Sequence, residues 1–272
     1  MTAPKSSNQI DYQWLDRPLG AMPKEYPDGH HSRPHQHPRD QLMYAVQGVM
    51  QVRAAGSLWL VPPRTALWMP AGVVHETRMR GKVSLRTAYL APGLGGGRGP
   101  TLTGVSPLLH ELLLRAVDMP MDYDEAGKDG LIARLLMQEI DWRGLAHLDM
   151  PWPADARLRR IHDHLLRHPA DADGLAAWAA RLGLSERTLA RLFVRELGMG
   201  FTAWRHRLRL MVALSRLGQG APVGVVAHET GYATASAFAA MFKRLTGRLP
   251  SDQARRTSCL LYTSDAADER SS

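Results

Sequence analysis

The feature that most constrains the fold is an internal repeat in the last third of this 272-residue chain. The first copy, LAAWAARLGLSERTLARLFVRELG, spans 175–198, and the second, VGVVAHETGYATASAFAAMFKRLTG, spans 223–247. In each copy a small residue, Ala179 or Ala227, stands four positions before a glycine. A small residue lets two helices cross closely, and a glycine permits a sharp turn between them. Each copy therefore predicts a helix-turn-helix.

The second helix of each copy has a capping residue and a polar face. Ser185 and Thr234 stand where a hydroxyl at the N-cap would accept from free backbone N–H groups. In the first copy Arg187, Arg191 and Arg195 recur every four residues and form one stripe along the helix. Arginine binds guanine bidentately or clasps a phosphate. The alternative is that the stripe is only a solvated surface.

The positive charge of the chain is concentrated around the repeat. Residues 156–256 hold 17 lysines and arginines against 7 aspartates and glutamates, whereas residues 1–155 hold 16 of each kind. Such a basic segment is typical of a domain that binds a phosphate backbone. Charge alone fits a well-solvated, arginine-rich helical surface equally well.

The stretch GYATASAFAAMFKRLTGRLPSDQAR, residues 231–255, resembles the C-terminal motif of the AraC/XylS family of transcription regulators. The matching positions are Gly231, Tyr232, Thr234, Phe238, Phe242, Lys243, Gly247, Pro250 and Arg255. The resemblance implies two helix-turn-helix units joined by a long central helix near 201–217, with both recognition helices in successive major grooves of an operator. The DNA-binding residues that it implies are Ser185, Arg187, Thr188, Arg191, Arg195, Thr234, Ser236, Lys243 and Arg244.

The second recognition helix is expected to read fewer bases than the first. Ser236 and Ala240 stand where the first copy has arginines, and further alanines surround them. This helix would contact thymine methyl groups, or it would bind phosphates through Lys243 and Arg244. We therefore predict that the first unit carries most of the specificity.

The N-terminal half predicts a β-structure followed by helices. Over 40–92, short apolar stretches separated by glycine and proline predict a small barrel or sandwich, and the glycine-rich segment 90–100 predicts a loop. Two amphipathic helices follow, near 105–118 and 127–142. They either pack on the barrel or pair with a second subunit. Prolines mark a linker over 146–156.

A group of histidines suggests a binding site inside this barrel. The stretch HQHPRDQLMYAVQG places His35, His37 and Gln41 at spacings that resemble the first cupin motif, and PAGVVH, ending at His75, resembles the second. The resemblance implies that these four side chains converge as an effector site or a site for a divalent transition metal. Gln41 stands where the motif has glutamate. A hydrogen-bonded polar pocket without metal is the alternative.

Other side chains are candidates to line the same pocket. Tyr44, Trp59 and Trp68 lie in the predicted strands, where a place in the core explains them equally well and is the more typical role for Trp59. Arg39 would lie near the mouth, where a cation suits an anionic effector.

These features predict an α+β protein: a cupin-like β-barrel, two helices, and an all-α C-terminal domain with two helix-turn-helix units. The domains expected are a cupin-like sensing domain over 20–100, a helical dimerisation or packing segment over 101–145, an AraC-type DNA-binding domain over 156–256 and a disordered, non-native tail over 257–272. The function expected is a sequence-specific transcription regulator that senses a small molecule or metal. The alternative is a metal-dependent cupin enzyme with an appended helical domain. Because the cupin glutamate is missing and no other acid-base pair accompanies the motifs, we predict no enzymatic activity.

The expected partners follow from this function. They are a double-stranded DNA operator, a small-molecule or metal effector, a second copy of the chain, and RNA polymerase. The sequence contains no apolar run long enough for a bilayer and no recognisable signal peptide. Its single cysteine, Cys259, excludes a disulfide within the chain. We therefore expect a cytoplasmic protein that does not associate with membranes.

Overall fold

The computed structural model describes residues 6–144, 149–247 and 249–252. Through these residues the chain forms two compact units, one of residues 6–55 and 59–144 and one of residues 56–58 and 149–252. Arg255, the tail over 257–272 and the start of the linker at 146–148 lie outside the described residues. No helix of the described ranges is both long enough and apolar enough to cross a membrane.

An antiparallel sheet forms the body of the first unit, after a short 3-10 helix at Asp11–Trp14. Its strands are β1 Leu19–Tyr26, β2 His31–His35, β3 Asp40–Ala54, β4 Ser57–Val61, β5 Thr65–Met69, β6 His75–Leu90 and β7 Thr101–Gly104. The two long strands β3 and β6 pair along most of their length, and their register shifts on both sides of Gln47. Gly48 at this shift has a φ of +77°, and its backbone lies against the Lys82 carbonyl with no room for a Cβ. Such a bulge bends both strands, which curves the sheet.

The strands β1 and β2 lie outside the predicted β-region of 40–92. Each contains a proline, Pro23 in β1 and Pro34 in β2, and a proline within an apolar run argues against a central strand. The structure accommodates both because, among the described strands, β1 pairs with β6 alone, and the register of β2 against β6 shifts between Ser32 and His35. Proline is tolerated at such edges and bulges.

Two helices cover the outer face of the curved sheet. They are α1 at Pro107–Ala116 and α2 at Lys128–Gln138. Their buried residues, among them Leu109 and Leu136, form one core with Leu42, Tyr44 and Trp68 of the sheet. Of the two sequence alternatives, packing on the sheet is therefore present. The helix α2 ends before residue 142, the predicted end, and the ring of Trp142 instead packs edge-on at 4.8 Å from that of Trp68.

The second unit is helical, apart from the short strand β8 at Asp149–Pro151. Its helices are α3 Ala156–Arg167, α4 Leu175–Arg181, α5 Glu186–Leu197, α6 Phe201–Gly218, α7 Val223–Glu229 and α8 Ala235–Thr246. The long central helix predicted near 201–217 is α6. Its Trp204 and the repeat residues Leu189, Phe193, Phe238 and Phe242 are fully buried. The predicted fold class is confirmed.

Candidate nucleic-acid interface and ligand cavity

The repeat folds into two helix-turn-helix units with matching backbone geometry. In the first, α4 and α5 are joined through Gly183 with a φ of +65°, and in the second, α7 and α8 are joined through Gly231 with a φ of +77°. Glycine adopts this left-handed conformation without the steric cost that a Cβ brings. Ala179 and Ala227, the small residues of the first helices, are both buried. The sequence repeat is therefore a structural repeat.

Both second helices begin at the N-caps that the sequence predicted. The Ser185 hydroxyl accepts from the Thr188 backbone N–H at 3.1 Å and lies 2.8 Å from the Thr188 hydroxyl. The Thr234 hydroxyl accepts from the Ala237 N–H at 3.1 Å. These bonds satisfy N–H groups that have no partner within the helix. They also fix where each helix begins and which residues occupy its first exposed turn.

The outer face of α5 carries the arginine stripe. Arg187, Arg191 and Arg195 are exposed on α5, and Arg195 makes a long 3.4 Å contact with Glu196. Within the described residues Arg187 and Arg191 form no ion pair, so both guanidinium groups are available. They lie in the N-terminal half of a helix presented on a helix-turn-helix, the arrangement that reads base edges in the major groove.

The outer face of α8 is different in chemistry. Ser236 and Ala240 are exposed near its beginning, where small side chains offer one hydroxyl for hydrogen bonding. The exposed Lys243 and Arg244 lie near its end, and neither forms an ion pair among the described residues. This helix can therefore hold phosphates more readily than it can discriminate bases.

A cavity of about 270 Å³ lies on the inner face of the curved sheet, within the first unit. This volume is close to the lower end of the range for small-molecule sites, about 300–1,000 Å³. Alternate residues of the strands point into it, because successive side chains of a strand face opposite sides. The lining includes the four predicted residues. Among those that the sequence did not predict are Met43, Met50, Thr77, Met79, Thr87 and Tyr89.

Three of the four predicted side chains form a cluster in this cavity. One ring nitrogen each of His35, His37 and His75 can be chosen so that all three lie within 4.8 Å of one another. The ring centroid of His35 is 4.9 Å from that of His37 and 4.5 Å from that of His75. The cluster forms because β2 pairs with β6, which places His35 directly opposite His75.

Backbone carbonyls determine which nitrogen of two rings carries the proton. The Nδ1 of His35 lies 2.7 Å from the Arg33 carbonyl, and the Nδ1 of His75 lies 2.9 Å from the Val73 carbonyl. A carbonyl only accepts hydrogen bonds, so each Nδ1 donates and each Nε2 keeps its lone pair. The Nε2 of His75 is buried and has no hydrogen-bond partner in the described part of the chain.

Burial keeps His37 and His75 uncharged at neutral pH. It lowers the pKa of His37 to about 4, and the neighbouring His75 and His35 contribute to the shift. Burial also lowers the pKa of His75. His37 and His75 therefore present neutral imidazoles, the form that binds a metal ion or accepts a hydrogen bond from a ligand.

Gln41 lines the same cavity at the position of the missing cupin glutamate. Its side-chain nitrogen donates to the Thr87 hydroxyl at 2.9 Å. Its Oε1 is buried and lacks a hydrogen-bond partner among the described residues. A buried amide oxygen without a partner costs free energy, which a donor or cation in the cavity would recover.

The other predicted lining residues do not line this cavity. Tyr44 and Trp68 lie on the opposite face of the sheet, in the core beneath α1 and α2. Tyr44 differs in position from Gln41 by an odd number of residues, so the alternation of the strand points it away. Trp59 is half-buried and also lies outside the lining. Of the two alternatives for these aromatic residues, core packing is present for Tyr44 and Trp68, and none of the three lines this cavity.

Arg39 is likewise not a ligand-binding cation. It is buried, and its guanidinium donates to the carbonyls of Leu15, Arg17 and Pro18 at 3.0, 2.6 and 3.1 Å. The arginine therefore holds the N-terminal segment against the sheet. The cations that do line the cavity are Lys24 and Arg33, and no aspartate or glutamate of the described residues lines it.

Comparisons with known proteins agree with both units. A family model for an AraC-like ligand binding domain matches residues 23–95, and one for a helix-turn-helix domain matches residues 178–256. The chain is 30% identical over 237 residues to the HTH-type transcriptional regulator NimR of Escherichia coli, a match that covers 87% of each protein. It is 38% identical over 101 residues to the regulator RipA of Corynebacterium glutamicum, covering 37% of this chain and 30% of RipA.

Solved structures include a crystal structure of ToxT from Vibrio cholerae with bound unsaturated fatty acid. It covers 88% of this chain and 96% of ToxT, with 11% identity and a TM-score of 0.38. That likeness is too weak to support a conclusion about ligand or mechanism.

The paired helix-turn-helix units and the ligand-binding unit define a DNA-binding transcription regulator. The relatives named above are described as regulators, and the alternative of a metal-dependent enzyme gains no support from them. The chain belongs to the AraC family of transcription regulators.

Proposed function

We propose that the chain regulates transcription in response to an effector bound in the cavity of its first unit. The observation that carries this proposal is the cluster of His35, His37 and His75, whose ring nitrogens come within 4.8 Å of one another in a cavity that Gln41 also lines. Two buried acceptors here, the Nε2 of His75 and the Oε1 of Gln41, have no partner among the described residues, as is expected where a ligand supplies the missing donors or a positive charge. In this proposal the protein acts in the cytoplasm on a double-stranded operator and there contacts RNA polymerase.

The cavity residues fit a divalent transition metal. Imidazole nitrogens suit zinc, iron, nickel and copper, and three of them with one amide oxygen make a reasonable ligand set. The Nδ1 bonds of His35 and His75 to backbone carbonyls orient both rings, as is usual for histidines that bind metal. His35, His37, His75 and Gln41 would hold the ion, which would supply a positive charge to anchor an effector.

The remaining lining favours an effector that carries negative charge. Lys24 and Arg33 line the cavity, and its volume of about 270 Å³ restricts the effector to a small molecule. An anionic group would neutralise these cations and would also suit a metal held only by neutral ligands. The preferred effector is thus a small anion that binds with the metal or beside the three imidazoles.

The direct test combines operator selection with cavity variants. A duplex is selected by the wild-type protein from a randomised library, and its affinity is measured with and without zinc or nickel. We expect one sequence to be enriched and its affinity to change on addition of the metal. The change should disappear in His35→Ala, while His30→Ala, outside the lining, should behave as wild type. Metal binding without any change in affinity would refute metal sensing, and the absence of an enriched sequence would refute specific regulation.

We also propose that the chain functions as a homodimer through the outer face of α1 and α2. Leu131 and Leu135, one turn apart on α2, are 59% and 40% exposed, and Leu108 of α1 is 46% exposed. Exposed leucines grouped in this way are typical of a surface that another protein covers. Sedimentation velocity should show a dimer for the wild type and a monomer for Leu131→Lys, with Leu94→Lys as the control on an exposed leucine elsewhere. A wild-type monomer at micromolar concentration would refute the dimer.

A further inference from the structure

The central helix α6 binds the loop that leads into the first helix-turn-helix unit. Arg209 of α6 is 7% exposed, and its Nε and Nη2 donate to the carbonyls of Pro169 and Asp171 at 2.9 and 3.1 Å. One turn earlier, the Nη1 of Arg205 donates to the Asp173 carbonyl at 3.0 Å. Two arginines thus hold the carbonyls at three alternate positions of the α3–α4 loop.

The turn of the second helix-turn-helix unit reaches the same place. The ring of Tyr232 lies 5.5 Å from the guanidinium carbon of Arg209, and its hydroxyl lies 2.9 Å from the Nδ1 of His206. The backbone is equally close, because a Cβ placed on Gly231 would lie 2.7 Å from the Arg209 Nη2 and 2.9 Å from the Ala170 Cα. The turn of the second helix-turn-helix unit therefore packs against the loop that leads into the first helix-turn-helix unit.

Arg209 lies between these two segments as a buried cation without a carboxylate. Within the described residues it forms no ion pair, and its partners are two carbonyls and an aromatic ring. A guanidinium can satisfy several acceptors at fixed angles and stack on a ring at the same time, which no other side chain does. Burying such a charge is costly unless its bonds are made, so the arrangement tolerates little displacement of either segment.

We propose that Arg209, assisted by Arg205, is a positioning residue that fixes the orientation of recognition helix α8 relative to recognition helix α5. Without this junction the two helix-turn-helix units would be joined by α6 and its local contacts. With it, the loop before α4 and the turn before α8 are held to one side chain. Two recognition helices that enter successive major grooves must keep a fixed separation, since the grooves recur every helical turn of about 34 Å.

The distance between the two helices can be measured without DNA, so the test does not depend on the proposed effector or on a known operator. Spin labels are placed at Arg191→Cys and Ser236→Cys, both exposed, in the full chain with its only cysteine removed by Cys259→Ser. Double electron–electron resonance then gives the distribution of distances between α5 and α8. We expect a narrow distribution for this background and a broader or shifted one after Arg209→Met.

Arg216→Met is the matched control on the same helix. Its guanidinium pairs with Glu229 at 2.8 and 2.9 Å. This contact joins α6 to α7, the first helix of the second helix-turn-helix unit. Its loss should lower the unfolding temperature without changing the distribution. Circular dichroism verifies that each variant is folded in solution before the sample is frozen. If Arg209→Met unfolds, Arg205→Met replaces it, and we expect this variant to broaden the distribution less. Unchanged distributions in the folded arginine variants, or equal broadening in Arg216→Met, would overturn the proposal.

Discussion

The Nδ1 of His75 lies 2.9 Å from the carbonyl oxygen of Val73, and this contact directs the Nε2 lone pair of the ring toward the cavity. His35 is oriented by the same kind of bond to a carbonyl two residues earlier. Each of the two rings is therefore oriented by a backbone carbonyl two residues earlier in its own segment. Ligand binding at this cluster should depend on the Nε2 atoms.

We predict that His75→Ala weakens zinc binding by about 100-fold or more, because even the loss of a residue that only supports a metal ligand costs about 10–100-fold. Competition with a chromophoric chelator at pH 7 measures the affinity. His31→Ala is the matched control, since His31 lies on β2 near His35 but contacts Glu76 at 3.2 Å and lies outside the cavity lining. Equal affinities in the two variants would show that zinc binds elsewhere.

The arginine stripe on α5 should provide most of the base discrimination. We predict that Arg187→Ala or Arg191→Ala reduces affinity for the selected duplex by about 1–3 kcal/mol and relaxes the preference at one base pair. Ser236→Ala, at the corresponding position of α8, should cost much less, because one hydroxyl is lost. Binding to a panel of singly mutated duplexes gives both quantities. Comparable losses of affinity in the α5 and α8 variants would contradict the prediction that the first helix-turn-helix unit carries most of the specificity.

The two turn glycines provide a matched pair for stability. Gly183→Ala places a Cβ at a φ of +65° in open space, whereas Gly231→Ala places one at +77° against Arg209 and Ala170. The first change should cost about 1 kcal/mol from backbone strain alone. The second should cost clearly more, since strain and a clash add. Chemical denaturation followed by circular dichroism gives the loss of unfolding free energy in each variant. Equal losses would mean that a small shift of the second turn relieves the clash.

The start of α3 should respond to acid in a defined window. Asp155 caps this helix, and its bond to Arg157 lowers the pKa of the carboxyl to about 2. Because the pKa in the folded state lies below the unfolded value of about 3.9, the extra stability is complete above that value and is lost as pH falls toward 2. Asp155→Asn keeps a capping oxygen without the charge. Its deficit in unfolding free energy should therefore shrink between pH 5 and 2, and a constant deficit would exclude this cause.

Much of the second unit was predictable because its signals are local in the sequence. The glycine, the small residue four positions before it and the hydroxyl cap all lie within one short segment. Their spacing predicts both turns and both caps, and the structure shows them. The junction at Arg209 was not predictable, since it joins residues near 170, 209 and 231 that no local pattern connects.

The cavity was predicted in part, for a related reason. Its histidines were found through their resemblance to a motif, and the structure brings three of them together. For the aromatic residues the sequence left pocket and core open, because hydrophobicity does not distinguish a cavity from a core on the two sides of one strand. The alternation of β3 places Tyr44 on the face opposite Gln41, and the covering helices make that face part of the core.

The small side chains on the exposed face of α8 have a consequence for the genes under control. Methyl groups and one hydroxyl constrain few base pairs, so promoters can diverge in the half that α8 contacts and still be bound. A change in the half that α5 reads would instead remove a promoter from the regulon. The natural targets should therefore share one conserved half-sequence beside a variable one, and differences in the variable half would grade the strength of the response from gene to gene.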